Sequence, residues 1–251
     1  MRRWMTFGAL LLVFLLALAA AAPARLLPAL LPPGQLQMQG LSGSIWHGTA
    51  SRCLLNTPAG YLQLGRVEWR LRPLSLLWLA PSVDFDSQWG EQHISARATL
   101  HGAGDLGLRD VDARIDASLL RQLAPVAVDG RFALMASRLR LRDGLPAGAE
   151  GRLVWEHGSW ATPQMRLPLG SYAVEFEQPG AGDALVGEVL TLDGPVRAAG
   201  SVRLDGLDYV VDVRIGGEHG LDPALARALS LMARPEGEAF RLRLSGALPA
   251  P

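Results

Sequence analysis

Gly102-Ala103-Gly104-Asp105-Leu106-Gly107 spells G-x-G-x-x-G directly after an alternating stretch. Backbone N–H groups in such a loop hold a pyrophosphate only where a helix opens behind it. Here the next residues keep a period of two, with Leu106, Leu108, Val111, Ala113 and Ile115 apolar. The segment therefore reads as a Gly-rich hairpin turn, with a bulge or turn near Arg109-Asp110 where the alternation slips. Carboxylates two apart (Asp84/Asp86, Asp110/Asp112, Glu175/Glu177) share one strand face. Acid–base hydrolysis needs two carboxylates across a cleft with their pKa values split, so these read as a solvated face. His47, His93, His101, His157 and His219 fall on five segments without metal-ligand spacing. Ser42 and Ser44 lie outside any nucleophile-elbow frame. The single cysteine, Cys53, excludes an intramolecular disulfide and a Cys-based metal or redox motif, and reads as a small apolar residue in the first hairpin. No enzyme, metal or cofactor is expected, and no small-molecule substrate is evident.

The elements behind these residues are mostly strands. In Val67-Glu68-Trp69-Arg70-Leu71-Arg72 apolar and charged residues alternate, placing Val67, Trp69 and Leu71 on a dry face and Glu68, Arg70 and Arg72 on a wet one. Gly40 to Cys53 reads as an extended segment carrying Trp46, paired into a hairpin with the segment carrying Trp69. Gln35–Leu41, Val83–Asp86, Ile94–Leu100, Arg131–Arg142 (broken between Ala136 and Arg138), Gly151–Trp155, Tyr172–Phe176, Val186–Leu192, Val196–Leu204, Leu207–Ile215 and Glu238–Ser245 continue the pattern. Asp193-Gly194 and Asp205-Gly206 supply tight turns. Two helices are expected. Ser118–Leu123 is a short one, and Asp222–Ala233 is the clear one, with Asp222 as cap, Pro223 at its first position and Leu225, Leu229 and Met232 on one face.

The chain's 251 residues are 49% hydrophobic and 19% charged, enough apolar material for a core. Basic and acidic residues balance at 24 each, which gives no argument for a nucleic-acid partner. Arg2 and Arg3 precede an uncharged run from Trp4 to Ala24. As a helix that run spans about 30 Å, the thickness of a bilayer's hydrocarbon core. Trp4, Phe7, Leu11, Phe14 and Leu18 are its anchor residues, and the leading arginines send the rest of the chain outward. Ala20-Ala21-Ala22 also offers a signal-peptidase pattern; the length of the run favours a retained anchor. The expected organisation is an anchor over 1–24, a Pro-rich connector over 25–34 and a β-rich domain over 35–251. The fold class is mainly β: a curved antiparallel sheet or sandwich of hairpins with one short C-terminal helix, behind a single transmembrane helix.

Gly43-Ser44-Ile45-Trp46-His47-Gly48-Thr49-Ala50, followed by Trp69-Arg70-Leu71-Arg72-Pro73 and a short apolar stretch, resembles the signature of the general secretion pathway protein N family. Gly43, Ile45, Trp46, Gly48, Trp69 and Pro73 are the residues that carry the match, as a partner surface or as structural positions. The resemblance implies a single-pass component of the bacterial type II secretion system in the cell inner membrane, its C-terminal domain in the periplasm. Such a component acts through contacts with other secretion components in the export of folded proteins. The alternative is an envelope protein similar to the AsmA-like proteins, handling lipid along an apolar β-groove. A continuous apolar trough would favour the second, and an exposed apolar patch, for which Leu76–Leu79 is the candidate, the first.

Overall fold

The structure, a computed structural model, describes residues 18, 21–30, 34, 36–57, 60–102, 104–117, 128–142, 145–161, 165–178, 184–218 and 220–247. Of the expected anchor residues, Trp4, Phe7, Leu11 and Phe14 lie outside this set, as does the expected helix Ser118–Leu123, whereas Leu18 is exposed. Among the described residues no helix is long and apolar enough to cross a membrane. The chain divides into two compact units, Met1–Trp89 and Gly90–Pro251.

In the first unit a 3-10 turn, Ala24–Leu26, leads into α1 (Leu27–Leu30). The strands β1 (Leu36–Gly43), β2 (His47–Thr57), β3 (Gly60–Leu71) and β4 (Ser82–Trp89) follow, with α2 (Pro73–Leu77) between the last two. They pair antiparallel in chain order. The alternation in β3 holds: Val67 and Trp69 are buried while Glu68, Arg70 and Arg72 are exposed. Trp46 is a correction, because it sits in the turn that closes β1 on β2 rather than within a strand. The core places Trp69 against Ala24 and Ala50, with Leu27, Met38, Leu41 and Val83 packed around them. Ala24–Leu30 thus folds against the sheet despite Pro28, which falls in the first turn of α1, where its missing N–H has no helical partner to lose.

The second unit is a longer meander: β5 (Gln92–Gly102), β6 (Asp105–Asp116), β7 (Val128–Arg142), β8 (Leu145–Ala161), β9 (Arg166–Glu177), β10 (Leu185–Asp193), β11 (Val196–Asp205) and β12 (Asp208–Gly217). After α3 (Pro223–Ser230) come β13 (Arg234–Glu236) and β14 (Ala239–Ala247). Strands β5 to β12 pair in chain order, then β14 joins β12 and β13 lies outside it. The described residues of the G-x-G-x-x-G stretch close β5 on β6, with Gly104 in the turn and Asp105–Gly107 already in β6, and Asp110 is skipped in the pairing with β5 and held at φ 52°. The register also shifts between Ala136 and Arg138.

Two strands run well past their expected ends. β8 extends on both sides of Gly151–Trp155, and β9 begins six residues before Tyr172. Register shifts beside His157 and Gly158 absorb the irregularities that broke the sequence pattern. The C-terminal helix is shorter than expected. Asp222 caps it, its Oδ1 accepting from the Ala224 N–H at 2.8 Å, but it ends at Ser230. Met232 is left exposed, so only Leu225 and Leu229 face inward.

Candidate functional site

The residues of the W-x-G signature come together at one end of the first unit. Gly43 adopts φ 87°, a left-handed conformation that lets β1 reverse sharply. The turn closes with the Ser44 N–H donating to the His47 carbonyl at 2.8 Å, while the Ser44 hydroxyl accepts from the His47 N–H at 3.2 Å. Gly48 is required by space. A Cβ there would lie 2.6 Å from both the Ser42 carbonyl oxygen and the Trp69 ring. The two glycines therefore do different work: one turns the chain, the other admits an indole. β2 is paired on both sides at this point, Gly48 facing Gly43 of β1 and Trp69 of β3.

The Trp69 indole N–H donates to the Ile45 carbonyl at 3.2 Å. The Ile45 N–H in turn donates to the carbonyl of Ala22 at 3.0 Å, and Pro23 bridges Ser44. Trp46 accepts from the Leu71 N–H at 2.6 Å, two residues before Pro73 opens α2. Gly43, Ile45, Trp46, Gly48, Trp69 and Pro73 are thus one joint. It locks Ala22 and Pro23, the β1–β2 turn and the end of β3 to each other.

The second unit holds a groove that residue types alone did not reveal. Phe132, Trp155 and Tyr172 are register partners across β7, β8 and β9. Their rings form a ladder, Phe132 and Trp155 stacked at 5.8 Å between centroids and Trp155 and Tyr172 tilted at 5.7 Å. The next row on this face is Leu134, Leu153, Val174 and Val189. The three rings, Leu153, Val174 and Val189, with Leu225 and Leu229 of α3, border a cavity of about 380 Å³ whose described lining residues are all apolar or aromatic. The polar ends of the ring ladder are occupied. The Trp155 indole N–H donates to the Asp129 carbonyl at 3.2 Å. The Tyr172 hydroxyl lies 2.8 Å from the Leu169 carbonyl and 3.0 Å from that of Val196. Burial pushes the Tyr172 phenol up to about 12, so it stays protonated and keeps that donor role. The groove offers dispersion and apolar contact with no charge to present.

One carboxylate of each pair singled out in the sequence is engaged in an ion pair. Asp84 pairs with Arg72 and Asp110 with Arg97, both at 3.0 Å, and Glu175 with Arg152 at 3.6 Å. Asp212, which the sequence pattern did not single out, receives the Arg241 guanidinium on both oxygens (2.8 and 3.0 Å) and Arg243 as well. Hydrogen bonds from Arg241 and then Arg243 hold its carboxyl well below the ordinary carboxylate range. Cys53 is 1% exposed, and burial lifts its thiol to about 11, the opposite of an activated nucleophile. A polar cleft lined by His157, Ser159, Ser171 and Asp193 lies along β8 to β10, but the Ser171 hydroxyl already accepts from the His157 main-chain N–H at 3.1 Å. Among the described residues no group of three or more His, Cys, Asp or Glu is arranged to hold a metal ion.

Comparison with known proteins gives a consistent picture. The family model described as type II secretion system, protein N, matches residues 34–243. A curated relative, the type II secretion system protein N of Aeromonas hydrophila, is 26% identical over 246 residues, 92% of each chain. No solved structure matches the chain.

Proposed function

Because the chain belongs to the type II secretion system protein N family, a family of secretion-machinery components, we propose that it is a single-pass inner-membrane member of that system. Its residues 35–251 would stand in the periplasm and work through protein–protein contacts during export of folded proteins across the outer membrane. The observation that carries the reading is the joint at the first unit's end. Ala24, the last residue of the uncharged run, is 1% exposed against Ala50 and Trp69. A membrane segment ending there would be coupled firmly to the sheet, as a component transmitting position to partners requires. Alkaline extraction of membranes followed by N-terminal sequencing tests the anchor; a soluble product beginning after Ala22 or Ala24 refutes it. Co-purification of other secretion components from the same membranes tests the contacts.

A second reading, lipid handling, draws on the apolar groove under α3. It expects lipid to co-purify with the protein and to be lost in Leu153→Glu, which places a charge in that lining. Mass spectrometry of the detergent-extracted protein showing no bound lipid would remove this reading and leave the groove as a seat for apolar protein side chains.

A further inference from the structure

We propose that the segment Leu74–Leu79 is a second membrane contact, seating Leu74, Trp78 and Leu79 at the boundary between headgroups and acyl chains of the bilayer that the N-terminal run enters. The inference rests on the anchor reading above and adds a surface to it.

The segment exposes Leu74 at 74%, Trp78 at 83% and Leu79 at 89%, a contiguous apolar surface of a kind that water disfavours. It is also built rather than loose. The Ser75 hydroxyl donates to the Arg72 carbonyl at 2.6 Å and accepts from the Ser82 N–H at 2.8 Å. The N–H groups of Trp78 and Ala80 donate to the Ser75 carbonyl at 3.3 and 3.2 Å, and that of Leu79 to Leu76 at 3.1 Å. Leu79 is held at φ 53°, a left-handed conformation costly for a branched side chain. The fold thus spends backbone strain to hold large apolar groups outward. A tryptophan at such a tip suits the membrane–water boundary, where its ring meets hydrocarbon and its N–H meets headgroups.

Position supplies the occupant. The Ala22 carbonyl, near the end of the uncharged run, is bonded to Ile45, and the neighbouring Trp46 carbonyl is bonded to Leu71. Arg72 follows and α2 begins at Pro73. Ala22, near the end of the run, and the start of the exposed segment are therefore held at the same joint. The exposed arginines Arg25, Arg70 and Arg72 flank that end, Arg72 braced by Asp84 at 3.0 Å, and guanidinium groups there favour anionic headgroups. A run that crosses the bilayer from this joint brings Leu74–Leu79 to its surface.

The test uses the full chain with Leu79→Cys, labelled with an environment-sensitive fluorophore. The native Cys53 is buried and resists labelling in the folded protein. Asn56→Cys, an exposed position near the opposite end of the β2–β3 hairpin, is the control. Each is reconstituted in vesicles of phosphatidylethanolamine and phosphatidylglycerol with and without nitroxide-labelled lipid. The expected result is a blue-shifted emission and a several-fold quenching at position 79, with neither at position 56. A protein that floats with the vesicles while its position-79 label stays water-exposed overturns this inference and leaves the anchor standing. A label shielded in native membranes but not in protein-free vesicles also overturns it, in favour of a protein partner. A chain that fails to float with the vesicles refutes the anchor reading and this one together.

Discussion

Replacing Trp69 by alanine tests whether the signature residues are a structural joint. Trp69 is 7% exposed, so most of the roughly 200 Å² that a core tryptophan removes from water is dry here. At about 25 cal/mol per Å² the transfer is worth about 5 kcal/mol. Unfolded chains already hide part of that area, and alanine keeps a little of it, which lowers the figure. The indole hydrogen bond to the Ile45 carbonyl adds about 1 kcal/mol. Leu27, Met38, Leu41 and Val83 around the site close the resulting cavity only in part, which adds to the loss. Together these give an expected loss of about 3–5 kcal/mol, with faster protease cleavage around Arg25 as the connector detaches. Trp69→Phe keeps most of the ring and drops the hydrogen bond, so it should lose about 1–2 kcal/mol. Trp78→Ala, at an exposed position, should stay within about 0.5 kcal/mol. Thermal or denaturant melts of the purified full chain decide the matter. An unchanged midpoint for Trp69→Ala, or equal losses for Trp69→Ala and Trp78→Ala, would refute the reasoning.

Gly48→Ala places a methyl group 2.6 Å from the Ser42 carbonyl and the Trp69 ring and should destabilise by about 1–3 kcal/mol through overpacking; a wild-type melting temperature would show that the indole simply moves aside. The Asp212 cluster predicts an acid limb. Its folded-state pKa is depressed, so its contribution is fully present above the unfolded-state value of about 3.9 and is lost as pH falls toward the lower folded value. Asp212→Asn should therefore melt below wild type at neutral pH, with the difference narrowing progressively below about pH 4; a difference that stays constant down to pH 2 would contradict the assignment.

Much of this protein is determined locally and is readable as such. The period of two around Trp69 gives a strand and its dry face because successive side chains must point to opposite sides. Asp222 and Pro223 give a helix start because each satisfies a local backbone requirement. Gly104 and Gly206 mark turns for the same reason, each with φ above zero. Sequence could not separate the roles of Gly43 and Gly48, since Gly43 answers to its own positive φ and to the His47 carbonyl packed against it, and Gly48 to an indole 21 residues away in the chain. It could not give the full length of β8, because alternation is interrupted wherever a bulge is accommodated by the neighbouring strands. The groove is the clearest case. Phe132, Trp155 and Tyr172 are unremarkable strand aromatics one at a time, and only the registers of three strands stack them. Register is a property of pairs of strands, set by which whole faces are buried together, so no single segment contains it.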